Sequence, residues 1–211
     1  VFDFIFARAI YYSESASLRK RLLIGSVILN ISVLAYFKYI NFFLDNLTLL
    51  GFTIETRFDI IVPLGISFYI FHSMSYVFDM YKKRLKPSGF LEFALFVSFF
   101  TQLVAGPIVR ARHLLPQLRL KRLPNFKKFN LAIWLIVLGY FKKIVVADGV
   151  ANYVGMVFAD PQIYFNPDRF LALLGFAAQI YCDFSGYTDI AIGLSLLLGI
   201  TLRRNFRLPY L

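Results

Sequence analysis

Four apolar runs, each close to or beyond the length of a bilayer crossing, decide most of what this chain can fold into. They lie at 22–44 (LLIGSVILNISVLAYFKYINFFL), 60–80 (IIVPLGISFYIFHSMSYVFDM), 129–158 and 170–201. A span takes about 20 mainly apolar residues. Composition points the same way: 59% of the 211 residues are hydrophobic and 18% aromatic, with 25 Phe and 13 Tyr, and only 17% are charged. Soluble domains carry about 45–50% apolar and about 25% charged residues. The expected class is all-α: a polytopic transmembrane helical protein with re-entrant and broken helices, forming a single transmembrane region over 1–211.

The charges assign the sides. RKR at 19–21, KKR at 82–84 and RRNFR at 203–207 flank the apolar runs, so the positive-inside rule puts them in the cytoplasm. The stretches 45–59 and 159–169 are then outside. The run 91–105 (LEFALFVSFFTQLVA) conflicts with a simple count of spans. It is bracketed by Pro87 and Pro107, and seven basic residues without an acid follow it between Arg110 and Lys128. Fifteen residues are short for a span, and short apolar runs are often re-entrant or interfacial; a re-entrant helix pair shielded from lipid is expected here.

Net charge is +11, and the pI is about 9.8. The basic residues cluster between apolar runs and form no nucleic-acid motif, so membrane lipids, not nucleic acid, are the expected partners. Cys182 is the single cysteine, which excludes an intramolecular disulfide and CxxC metal or redox spacing. Residues 1–17 lack the basic and apolar regions of a signal peptide, and the initial Val suggests a piece of a longer protein.

Two acids stand inside the last apolar run. In AQIYCDFSGYTDIAIGL, Asp183 and Asp189 lie six residues apart. A carboxylate at bilayer depth is costly and marks a functional site by default. The two are expected to line a polar cavity or to clamp neighbouring donors, with the helix broken near Asp183–Gly186, because Gly relaxes backbone limits and Ser bonds locally. Lys142, Lys143 and Asp148 interrupt the run before it; GYFKKIVVAD reads either as a helix turning its charges to a cavity or as an interfacial helix before a short span. His72, in FYIFHSMSY, is expected to be a satisfied core histidine, and His113 a loop residue of no special role. Ser195 and Gly199 form a small-xxx-small pair of the kind that lets helices approach. No metal-ligand spacing, phosphate loop or nucleophile elbow is present. The basic segment 110–128 fits a topogenic role or attraction of an anionic headgroup or phosphate-bearing donor.

Several stretches in order resemble the membrane-bound O-acyltransferase (MBOAT) family. They are YFKYINF at 36–42, VPLGISFYIFHSMSYVFDMYK at 62–82, QLVAGPIVR at 102–110, FKKIVVAD at 141–148, YCDFSGYTDIAIGLSLLLGI at 181–200 and NFRLPYL at 205–211. The similarity is to the bacterial branch of alginate O-acetyltransferases, with the D-alanyl transfer protein of teichoic acids more distant. The resemblance implies a multi-helix fold around a funnel, in which a cytoplasmic donor, acetyl-CoA, serves to acetylate hydroxyls of an exported cell-envelope polysaccharide. The implied place is the cell inner membrane. Implied partners are the polysaccharide acceptor or periplasmic acetyl-relay proteins, and no bound cofactor is expected. Asp183, Ser185, Tyr187, Asp189, Lys142, Lys143 and Asn205 are the candidate funnel-lining residues. In the family the N-F-x-x-P-Y segment precedes the stretch that holds the catalytic histidine, so no catalytic residue is assigned to this chain and an isolated 1–211 is expected to be inactive. The rival readings are a transporter or flippase, which also uses broken helices and intramembrane acids, and a scaffold of a polysaccharide-export complex; no repeat of two halves supports the first.

Overall fold

The computed structural model describes residues 1–52, 57–102, 106–107, 109–120 and 128–205. Its described residues are helical or irregular, with no strand among them, and they fall into two compact units. The first is Val1–Val104 with Val109–Arg119, and the second is Ala105–Ile108 with Leu120–Leu211.

In the first unit, α1 (Phe2–Tyr12) packs on α2 (Ala16–Leu34) and on α4 (Ile66–Tyr81). Ser15 starts α2 by accepting the Leu18 N–H at 3.4 Å, the ordinary work of an N-cap hydroxyl. A π-helical turn, Ala35–Tyr39, carries α2 into α3 (Ile40–Leu49). The continuous helix Ala16–Leu49 has 34 residues and contains an 18-residue window of mean hydropathy 1.7, so it is long and apolar enough to cross a membrane. The 22–44 span therefore sits within one longer helix.

The 60–80 span needs correction. Residues 60–65 are not helical; α4 begins only after Gly65, whose φ of 73° lies in the left-handed region that favours glycine. The 16 residues of α4 extend about 24 Å, short of the roughly 30 Å hydrocarbon core. Tyr76, Val77 and Met80 of α4 are buried, as are Ala7 and Ile10 of α1, and the two helices pack together. Tyr76 also packs its ring against Phe93 at a tilt of 52°, with centroids 4.9 Å apart, and shares a 2.9 Å hydrogen bond with Ser88. The 91–105 run forms α5 (Phe90–Val97) and a 3-10 turn at Phe100–Gln102, with 103–105 outside the described residues. The Glu92 carboxylate accepts the Gly89 N–H at 3.2 Å at the start of α5. Next comes α6 (Ala111–Arg119), on which His113 is helical, not a loop residue; the rest of the basic segment, 121–127, also lies outside the described residues.

The second unit is built on two long helices. α7 (Phe129–Tyr140) passes through a π-helical segment, Phe141–Ala147, into α8 (Asp148–Ala159). Together Phe129–Ala159 make a 31-residue helix that contains an 18-residue window of mean hydropathy 1.7. Of the two readings left open by GYFKKIVVAD, a single continuous helix is the one observed. α9 (Asn166–Leu197) runs 32 residues with Pro167 in its first turn, where a missing N–H costs nothing.

The expected break near Asp183–Gly186 is absent: α9 is continuous through both residues. Gly186 serves the crossing with α7, not a hinge. A Cβ built on Gly186 would stand 2.8 Å from the Gly139 carbonyl oxygen, and one on Gly139 would stand 2.5 Å from the Gly186 oxygen. A Cβ on Gly193 would meet the Ala132 oxygen at 2.7 Å. Ala132 and Gly139 are seven residues apart, as are Gly186 and Gly193, and the pairing reverses order, so the helices cross antiparallel on a seam of three glycines and an alanine. Backbone contact of this kind outweighs the roughly 1 kcal/mol that glycine costs in a helix. Of the Ser195–Gly199 pair, Ser195 is fully buried, as packing requires, and Gly199 has another task. Gly199 lies past the helix end with φ 76°, donating to Leu196 O at 3.0 Å while Ile200 donates to Ser195 O at 2.8 Å. That is the double bond of a left-handed helix stop.

Candidate functional site

The π-helical segment of the second unit carries Lys142 and Lys143. Such segments insert an extra residue into an α-helix and recur at functional sites. Both lysines reach acids of this unit. Lys142 Nζ donates to Asp189 Oδ2 at 2.6 Å. Lys143 Nζ donates to Asp148 Oδ1 at 2.7 Å and stands 2.9 Å from Asp183 Oδ1. The Lys143–Asp183 contact is close enough for an ion pair but is not aligned as a hydrogen bond, so Asp183 Oδ1 keeps no hydrogen-bond partner among the described residues.

The two acids differ in depth. Six residues of α-helix turn through about 600°, leaving them roughly 120° apart around α9. Asp189 is on the packed face, its side chain 11% accessible, whereas that of Asp183 is 38% accessible. Two ammonium groups thus meet three carboxylates, and the acids hold the lysines rather than standing unpaired in an apolar helix. A buried carboxylate with a close cation keeps its charge at a tolerable cost.

Near this pair on α9 lie buried hydroxyls that lack a hydrogen-bond partner among the described residues. Ser185 and Thr188 are each 2% accessible, and neither Ser185 Oγ nor Thr188 Oγ1 has a hydrogen-bond partner among the described residues. Gln179 Oε1, nearly two turns before Ser185, also has no hydrogen-bond partner among the described residues. Unpaired buried polar atoms are uncommon in folded proteins. Of the seven residues expected from the sequence, Lys142, Lys143, Asp183 and Asp189 are brought together by ion pairs. Ser185 lies on the packed face. Tyr187 points away at 40% accessibility, and Asn205 is exposed beyond the end of α9, so neither joins the cluster. Thr188, Gln179 and the pairing role of Asp148 were not foreseen. Thr188 had a signal: with Ser185 and Asp189 it falls on one face at helical spacing.

A second buried carboxylate belongs to the first unit, and nothing in the sequence singled it out. Asp3 accepts from Ser26 Oγ and Asn30 Nδ2, each at 2.7 Å, and from Ser73 Oγ. One acid thereby ties α1, α2 and α4 together using neutral donors alone. His72 is buried and stacked on Phe96 with ring centroids 5.7 Å apart. It is not the satisfied histidine expected, because its Nε2 has no hydrogen-bond partner among the described residues.

The sequence of residues 27–210 matches the model of the MBOAT, or membrane-bound O-acyltransferase, family. The chain belongs to the MBOAT family. It is accordingly a membrane-bound, polytopic protein. One relative is a peptidoglycan O-acetyltransferase of Helicobacter pylori, 34% identical over 237 aligned positions that take in 100% of this chain and 45% of the relative. Another, from Azotobacter vinelandii, is named "Probable alginate O-acetylase AlgI" and is 38% identical over 199 positions, 91% of this chain and 39% of the relative. A teichoic acid D-alanyltransferase of Bacillus subtilis is 28% identical over 153 positions, 70% of this chain and 38% of its own length. The chain thus spans less than half the length of these relatives. The Lys142–Asp189 pair joins two of the stretches that carry the MBOAT resemblance, FKKIVVAD and YCDFSGYTD.

Proposed function

We propose that these residues form part of a membrane O-acetyltransferase that moves an acetyl group from a cytoplasmic donor toward hydroxyls of an exported cell-envelope polysaccharide. Membership of the MBOAT family supports the reaction class. The observation that carries the reading onto this chain is the ion pairing of Lys142 and Lys143 with Asp189 and Asp183. It sets a cluster of paired charges, two ammonium groups with three carboxylates, on helices otherwise apolar, where polar groups of a donor or acceptor would find fixed partners.

Acetyl-CoA is the donor we propose, and the cell inner membrane the location. The acceptor we favour is an alginate-like polymer. A relative named for peptidoglycan aligns along the whole chain, which makes peptidoglycan the competing acceptor. Periplasmic acetyl-relay proteins are a further proposed partner. The general base that takes the acceptor proton is not assigned to a residue of this chain.

Membrane vesicles from cells producing the complete gene product test the reading. Labelled acetyl-CoA supplied on the cytoplasmic face should label alginate on the other face; label in peptidoglycan instead would change the acceptor, and label in neither polymer would remove the proposal. Expressing residues 1–211 alone in a strain lacking the complete enzyme should restore no acetylation. Restored acetylation would bring the base into these residues, with His72 the first to examine.

A further inference from the structure

The C-terminal end of α4 and the chain beyond it frame a cavity of about 260 Å³ in the first unit. Three cations line it: Lys82, Arg84 and Arg110. One acid, Asp79, shares the lining. That carboxylate is already engaged, since it is buried and its Oδ2 accepts the Arg112 backbone N–H at 3.3 Å. Among the described residues none of the three cations makes an ion pair. All three are exposed, so solvent screens their mutual repulsion, and an anion placed between them would be attracted by each.

The remaining wall is apolar. Phe71, Met74 and Phe78 line the same cavity, and Phe71 and Phe78 are 50% and 39% accessible. A polar, cationic end and an aromatic flank therefore meet within one cavity. It lies at the basic flank that the charge bias places on the cytoplasmic face, where basic pockets beside membrane helices recruit phosphorylated headgroups.

We propose that this cavity binds a phosphate ester, with phosphate oxygens between Lys82, Arg84 and Arg110 and the apolar remainder along Phe71, Met74 and Phe78. The proposal stands on the first unit alone and does not depend on acetyl transfer. Two molecules present this chemistry at that face: an anionic phospholipid of the inner leaflet and a soluble phosphorylated donor.

The test uses the purified chain in detergent micelles and follows its unfolding temperature. The probes are phosphatidylglycerol, phosphatidylcholine and adenosine 3′,5′-bisphosphate. Phosphatidylglycerol, but not phosphatidylcholine, should stabilise the chain if the source is lipid; the bisphosphate should do so if it is a soluble donor. In either case the triple variant Lys82→Gln, Arg84→Gln and Arg110→Gln should raise the half-saturating concentration about a hundredfold, roughly fivefold for each cation. Arg84→Lys with Arg110→Lys should stay within about threefold of wild type, since Lys keeps the charge. A control losing Lys20, Arg21 and Lys128 to Gln removes the same charge elsewhere and should leave binding unchanged. Should the triple variant fail to fold, Arg110→Gln alone should still show about a fivefold loss. Stabilisation by neither anionic probe, equal stabilisation by all three, or equal weakening in the control and the triple variant would overturn the site.

Discussion

Asp3 and Asp189 are two carboxylates buried against apolar helices, and the chain satisfies them in opposite ways. Asp3 is surrounded by two hydroxyls and an amide drawn from α2 and α4. Asp189 is met by the ammonium of Lys142 at 2.6 Å. Neutral donors disperse a charge over several short side chains and fix three helices at one point, which is the work of a structural tie. A single long cation is costlier to hold in place, and it leaves a dipole whose strength depends on both partners. The first arrangement fits assembly; the second places a charged pair on a π-helical segment, beside hydroxyls that have no hydrogen-bond partner among the described residues.

The largest effect expected from this contrast follows breaking the ion pair from one side. Lys142→Met leaves Asp189 uncompensated and should cost about 3 kcal/mol, seen as a lower unfolding temperature in detergent. Adding Asp189→Leu should return most of that loss, because a buried pair exchanged for apolar side chains is nearly neutral. A smaller loss, about 2 kcal/mol, is expected for Gly186→Ala. Alanine ordinarily stabilises a helix relative to glycine, but here its Cβ would overpack against the Gly139 carbonyl. The sign of that change is the check.

At Asp3 the losses should be smaller and spread out. Ser26→Ala and Ser73→Ala should each cost about 1 kcal/mol, and their combination should be non-additive because both bond the same carboxylate. If instead Ser73→Ala matched the cost of Lys142→Met, the contrast between the two sites would fail. The smallest effect belongs to the surface. Arg57→Gln breaks a 2.9 Å pair with Asp45 whose side chains are 79% and 53% accessible, and should shift stability by less than about 1 kcal/mol.

Much of this was legible in the sequence, and the failures have physical causes. Apolar run length set the helical class, and the cost of intramembrane charge pointed to Asp183, Asp189, Lys142 and Lys143. The pairing between them was not readable, since it rests on an antiparallel crossing set by Gly139 and Gly186. Glycine in an apolar run signals either a break or a close crossing, and the sequence alone favoured the wrong one. The break in regularity falls on the facing helix instead. Both π-helical segments contain the tripeptide Tyr-Phe-Lys, at 36–38 and at 140–142, or overlap it by two residues, a short recurrence that a search for repeated halves passes over. Asp3 stayed hidden because an acid near the first residue of a helix looks like an ordinary N-terminal charge. Ser26, Asn30 and Ser73 are separated from it by 23 to 70 positions. The 60–80 run was misjudged at its start, where Pro63 and Gly65 hold the backbone out of the helix.

The central claim is that the Lys142–Asp189 pair serves acetyl transfer and not merely helix assembly. The doubly apolar variant, Lys142→Met with Asp189→Leu, separates the two, because it restores packing while removing both charges. In the complete gene product, at wild-type abundance in the membrane, polymer acetylation by this variant should fall at least about tenfold, a barrier increase of about 1.4 kcal/mol or more. Wild-type acetylation by a stably inserted double variant would contradict the account and leave the pair a structural tie like Asp3.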